Sequence, residues 1–273
     1  MPINVEAYDA HQILTPGAGY LSEYDYSLNP YVGCSFGCSY CYAAFFAAPD
    51  QQASWGDWVR VKQNAAFKLS RVRRSLMGKT IYLSSATDPY QPIERRLELT
   101  RSLLPILADK GAHLVVQTRS PLVTRDVDLL QRFEEVCVNF SITTDSEEVR
   151  RAFEPRNPPI QSRLQAAREV ADAGIPVAIT MTPLLPVEDP SDLASRVART
   201  GASRFVVESF SPTGGRFRGG TGEPAQALAR RLGWDCAAYE RTRQALRHEL
   251  APNIREGRDG FSPRNLLSSP SPR

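Results

Sequence analysis

From residue 79 onward, short apolar runs alternate with stretches in which apolar residues recur every three or four positions. Lys79-Thr-Ile-Tyr-Leu-Ser84 reads as a strand, and Leu97 to Lys110 as a helix closed by Gly111. His113 to Thr118, Val136 to Thr143, Pro176 to Thr182 and Arg204 to Glu208 are further strands, separated by helices over Val127–Phe133, Ile160–Ala173 and Asp189–Arg199. These strands are almost continuously apolar, which marks strands covered on both faces and so a parallel sheet wrapped by helices. Ser27 to Gly33 adds an extended entry, because Pro30 holds Asn29 out of the helical region. About six βα units result, which is an α/β fold.

The flanks carry weaker patterns. Residues 1–26 read as a polar, irregular extension, residues 27–210 as the core, and residues 211–251 as a glycine-rich loop followed by helices over Ala225–Leu232 and Asp235–Glu249. The loop holds five glycines in nine residues from Gly214, which predicts a mobile connector, a lid or an RGG-like patch. Residues 252–273 read as a disordered tail. Between Trp58 and Leu76 the apolar positions settle to helical steps, with Arg60, Lys62, Lys68, Arg71, Arg73 and Arg74 on the other face. A solvated face explains these cations as well as a nucleic-acid face does.

With 273 residues, 42% of them hydrophobic, the chain has material for one large core. Thirty-three basic and thirty acidic side chains nearly balance, so charge alone does not argue for a nucleic-acid partner. No apolar run approaches the roughly eighteen residues that span a bilayer, and Met-Pro-Ile-Asn-Val-Glu lacks the pattern of a signal peptide. A cytoplasmic monomer is expected. Five cysteines, three of them clustered, suit metal ligation in a reducing compartment better than a disulfide framework.

Those three lie in Tyr31-Val-Gly-Cys34-Ser-Phe-Gly-Cys38-Ser-Tyr-Cys41-Tyr42. Gly33 and Gly37 permit tight backbone turns, so all three thiolates can face one soft metal centre. A [4Fe–4S] cluster takes a thiolate on each iron, so a three-cysteine loop leaves one iron open to another ligand. The alternatives are a zinc site, which needs a fourth ligand although His11, His113 and His248 are scattered, and a disulfide pair.

Cys34-x3-Cys38-x2-Cys41, with Tyr40 before the last cysteine, resembles the signature of the radical S-adenosylmethionine (SAM) superfamily. The resemblance implies a partial (β/α)6 barrel of the TIM type and a [4Fe–4S] cluster on Cys34, Cys38 and Cys41. It also implies SAM on the open iron, reductive cleavage to a 5′-deoxyadenosyl radical, and a reductant such as flavodoxin or ferredoxin. In such a barrel functional groups gather at the carboxyl ends of strands, which points to Ser84–Glu94, Thr118-Arg-Ser120, Ser141-Ile-Thr-Thr144 and Thr180-Met-Thr-Pro183.

Thr87-Asp88-Pro-Tyr-Gln-Pro-Ile-Glu94, Thr118-Arg119-Ser120, Phe140-Ser141-Ile-Thr-Thr144 and Glu154-Pro155 are similar to the spore photoproduct lyase-like branch, also labelled DNA repair photolyase-like. That likeness implies Thr87 and Asp88 for the SAM amino group, Arg119 and Ser141 for its carboxylate, and catalytic roles for Tyr40 and Tyr42. Arginine stands where the branch more often has lysine. Ser84-Ser-Ala86 stands where those lyases carry a hydrogen-donating cysteine, so the branch name does not fix the reaction. Three readings stay open: a radical SAM enzyme of unassigned substrate, a DNA- or RNA-repairing or modifying member of that class, and a non-catalytic iron–sulfur or zinc module. Glu154, Arg156 and Arg163 could face the barrel mouth, but as charged residues at a helix start they read more simply as solvated or capping.

Overall fold

A computed structural model of the chain describes residues 3–210 and 222–267. Its strands are β1 (Asn4–Tyr8), β2 (Leu14–Pro16), β3 (Tyr26–Leu28), β4 (Tyr31–Val32), β5 (Trp58–Lys62) and β6 (Thr80–Leu83). They continue with β7 (His113–Thr118), β8 (Val136–Ser141), β9 (Val177–Leu184), β10 (Arg204–Ser209) and β11 (Ile254–Glu256). The main sheet runs β11-β10-β9-β8-β7-β6-β3-β2, with every neighbouring pair parallel except β2 and β3. β3 and β6 to β10 are the six expected parallel strands. The sheet does not close, since β2 and β11 stand at its two ends, so the barrel is partial.

Every residue of β8 is buried, as a strand covered on both faces requires. Alternation divides the apolar residues between two layers. Leu114, Val116, Val136 and Val138 pack outward in the large core with Leu103, Leu107 and Leu164 of the covering helices. Val115, Cys137, Ala178 and Val206 turn inward with Tyr24 and Tyr82, and Leu266 completes that inner layer. Cys137 is thus a small core residue. Helix starts follow the local code. Ser146 accepts from the Val149 amide ahead of Glu147 and Glu148, and Asp189 caps the helix Pro190–Ala198.

Three stretches differ from the sequence reading. Residues 252–267 are not a disordered tail: β11 pairs parallel with β10, and the following helices bring Leu266, fully buried, under the barrel. The cause is the inner face of β6 to β10, an apolar floor that Leu266 and Leu267 cover. Residues 268–273 and the glycine-rich stretch 211–221 lie outside the described residues.

Trp58–Leu76 is not one helix. Val59 and Val61 alternate with polar residues and pair as β5 between β1 and β4, and only Ala65–Ser70 is helical. Its cations therefore form no single helical face. Arg60 pairs with Glu6 at 3.0 Å and lies over the Tyr8 ring, while Arg74 lies over that of Tyr26. The N-terminal extension, read as irregular, supplies β1 and β2, each paired to a neighbouring strand. Among the described residues no helix is long and apolar enough to cross a membrane.

Candidate metal centre at the barrel mouth

The cysteine loop follows β4 and is bent where its glycines are. Gly33 has φ +80°, and a Cβ there would meet the Trp58 ring at 2.6 Å. Gly37 has φ +58° and faces Gly56 so closely that a Cβ on it would stand 3.1 Å from the Gly56 Cα. Cys34 and Cys38 are buried, Cys41 is half-buried, and all three are free thiols. Burial, together with the neighbouring Asp88 and the other two thiols, pushes Cys34 well up. Burial and the adjacent Cys38 bring Cys41 to about 11, against a smaller opposing pull from Arg119. Without a metal these thiols keep their protons, and a bound metal would have to displace them.

Each sulfur has an N–H nearby: the Phe36 amide at Cys34, those of Ala43 and Ala44 at Cys41, and the Asn157 side-chain amide at Cys38, 3.2 Å from the sulfur. Such donors favour thiolate ligation. The thiols influence one another electrostatically, yet among the described residues no three His, Cys, Asp or Glu side chains form a set gathered about a single ion. An iron–sulfur cube is wider than one ion, and this donor set fits it.

Gln91, fully buried, braces the loop from below. Its Oε1 accepts from the Ser35 amide at 2.9 Å, and its Nε2 donates to Thr87 Oγ1 at 3.0 Å. Thr87 in turn donates its hydroxyl to the Gly33 carbonyl at 2.6 Å, leaving its oxygen as an acceptor. Asp88 is buried and accepts from the Tyr90 amide, the Thr118 hydroxyl and the Arg119 amide, tying the ends of β6 and β7 together. Burial raises its pKa, against the pull of those bonds.

Arg119 lies beside the thiols. Its guanidinium donates to the Tyr40 hydroxyl at 3.1 Å, its Nε is 3.7 Å from Glu154, and that nitrogen has no hydrogen-bond partner. Tyr40 donates to Glu154, and Tyr42 donates to the Ser85 carbonyl. Burial raises the pKa of both tyrosines, so both are neutral phenols. Ser141, at the end of β8, accepts from Gln117 Nε2 at 2.7 Å; the Tyr82 hydroxyl and the Asn139 amide both donate to the other end of that glutamine. Ser84, Asn139 and Thr180, at the end of β6, on β8 and on β9 respectively, each keep a buried side-chain oxygen without a partner. Arg119, Ser84, Asn139 and Thr180 thus leave unspent polar atoms, as a polar cosubstrate would use.

Sequence reasoning placed Glu154 and Arg163 wrongly. They form an ion pair at 2.7 Å with side chains 0% and 1% exposed, beneath the cysteine loop. Burial would raise the Glu154 carboxyl, but Arg163 and Arg119, with hydrogen bonds from Tyr40 and Asn157, outweigh it and hold it at about 2. Glu154 caps the C-terminal end of the helix Glu147–Phe153, not a helix start, and that end is roofed by the loop, whose Ser39 amide donates to the Phe153 carbonyl at 2.9 Å. Arg156 alone of the three is surface-facing, paired with Asp57 at 2.5 Å. Asn157 and Gln117 were missed altogether, and no local pattern marks them.

A partial parallel β/α barrel carrying a three-thiol loop at the carboxyl ends of its strands defines an α/β protein with a candidate metal centre at the barrel mouth. The radical SAM superfamily model matches residues 28–197, and the chain belongs to that superfamily. It is 35% identical over 171 residues to the uncharacterized protein MJ0683 of Methanocaldococcus jannaschii, covering 63% of this chain and 62% of that one. It is 25% identical over 194 residues, 66% of this chain and 38% of the relative, to the radical SAM Nalpha-GlyT isomerase of Pseudomonas phage M6. The chain therefore spans less than two thirds of these curated relatives' lengths. A solved spore photoproduct lyase complexed with dinucleoside spore photoproduct has the same fold, with TM-score 0.64 and 18% identity over 93% of this chain and 81% of that one.

Proposed function

We propose that the chain is a radical SAM enzyme whose cluster is held by Cys34, Cys38 and Cys41. The observation that carries this is the trio of free thiols, two buried and one half-buried, each with an N–H donor at its sulfur, on a loop whose glycines are sterically required. When bound and reduced, the cluster and SAM together supply a 5′-deoxyadenosyl radical that takes a hydrogen atom from substrate. The protein's part is to bind, orient and keep dry. Arg119, with an unspent Nε, and Ser141 take the SAM carboxylate. Thr87, whose proton goes to Gly33, offers its oxygen to the ammonium. Asp88 supports that site through the three hydrogen bonds that fix the β6 and β7 ends, its charge favouring an ammonium nearby. Tyr40 holds Arg119 in place beside the thiols.

Reconstituted protein with dithionite and SAM should release 5′-deoxyadenosine, and alanine at any of the three cysteines should abolish it. A wild type that carries four irons per chain but leaves SAM intact under several reductants overturns the proposal.

A nucleic-acid substrate is the finer reading. It is supported by the fold shared with a lyase that holds a dinucleoside spore photoproduct. It predicts salt-dependent binding of DNA or RNA, and no binding at low salt refutes it.

A further inference from the structure

Residues 153–157, Phe-Glu-Pro-Arg-Asn, grip the cysteine loop and its neighbour from more than ninety positions away. The Phe153 carbonyl takes the Ser39 amide, Glu154 takes the Tyr40 hydroxyl, Arg156 donates to the Gly56 carbonyl behind Gly37, and Asn157 donates to Cys38. Asn157 is itself immobilised. Its side chain is buried, its amide donates to the Glu154 carbonyl at 3.1 Å, and its carbonyl accepts from Arg150 at 3.0 Å. The amide orientation is chemically determined: an oxygen turned toward a thiolate would be repelled, and Nδ2 is the end that meets the sulfur. Its Oδ1 is left without a partner, while the amide nitrogen serves the Cys38 sulfur and the Glu154 carboxylate beside it.

We propose that Asn157 is a positioning residue for the cluster, whose N–H to sulfur bond sets its reduction potential. This rests on the radical SAM reading above. Reduction adds negative charge to the cluster and its thiolates, so a fixed donor at one sulfur stabilises the reduced form more than the oxidised one. The three backbone donors at the other cysteines cannot be removed by substitution, whereas Asn157 can.

The test is a potentiometric titration, without SAM, of anaerobically reconstituted wild type, Asn157→Leu and Asn157→Ser, with iron and sulfide counted in each. Leucine keeps the size and removes the donor; serine keeps a donor. We expect Asn157→Leu to retain the cluster and to be reduced about tenfold less at a given potential, a fall of about 59 mV for one electron. Asn157→Ser should recover part of that fall. If leucine loses the cluster while serine keeps it, the donor anchors Cys38 and does not merely tune the cluster, and the claim about potential is overturned. An unchanged potential in cluster-replete Asn157→Leu overturns it, as does cluster loss in both variants, which would mark a purely structural role. A wild type that takes up no cluster refutes the radical SAM reading instead, so the two failures are distinguishable.

Discussion

Replacing Glu154 by glutamine keeps the shape of the group and deletes the charge that Arg163 and Arg119 surround. Both partners of the Arg163 pair are buried, so solvent screening is slight, and the loss strands a guanidinium with a 1% exposed side chain. The magnitude follows from the carboxyl itself. A pKa of about 2 in the folded chain against an ordinary 4.5 corresponds to about 3 kcal/mol. The sign is that of a depressed carboxylate: the stabilisation is complete above pH 4.5 and is lost as pH falls through 2. Linkage leaves about 1.4 kcal/mol of it at pH 3. Urea unfolding of the iron-free protein, followed by circular dichroism, reads this directly. With a slope of about 3 kcal/mol per molar, E154Q should lower the midpoint by roughly 1 M at neutral pH and by less than half that at pH 3. A glutamine variant as stable as wild type at pH 7, or a deficit that does not shrink in acid, would refute the electrostatic account of this network.

Gln91→Leu strands the buried Ser35 amide in the cysteine loop, which should cost about 1–3 kcal/mol and lower the iron bound per chain after reconstitution. Gly37→Ala places a side chain at φ +58° against the Gly56 backbone, with an expected penalty of about 1–2 kcal/mol measurable by urea titration and the same drop in iron content. Leu266→Ala removes a fully buried side chain from beneath the barrel and should cost about 2–5 kcal/mol; no change in unfolding free energy would mean that the C-terminal segment does not dock as described.

Much of the fold is legible because its signals are local. The apolar runs at Ile81, Leu114 to Val116 and Val136 to Val138 announce buried strands wherever they fall, and Gly111 and Gly174, with φ of +67° and +81°, end helices where expected. The cysteine loop is legible for the same reason, since its spacing is contained in eight residues. Where a segment's periodicity mixes, the partner decides. Val59 and Val61 become a strand because β1 and β4 offer edges to pair with, and neither edge is visible in residues 58–76.

The second shell of the site is illegible by the same logic. A glutamate at a helix end is normally solvated, so nothing near Glu154 announces burial; what changes its environment is a loop that begins 120 positions earlier and closes over it. Once covered, the carboxylate requires Arg163, Arg119, Tyr40 and Thr143 as partners, and their convergence is a property of three strand or helix ends meeting, not of any segment. The segment reaching Cys38 is set by that same closure. The loop supplies the three sulfurs, while the charge and hydrogen bonds that surround them come from the far side of the barrel. On the proposed cluster site, assembly of the cluster and the folding of residues 153–157 against the loop should therefore be coupled, and weakening either should weaken the other.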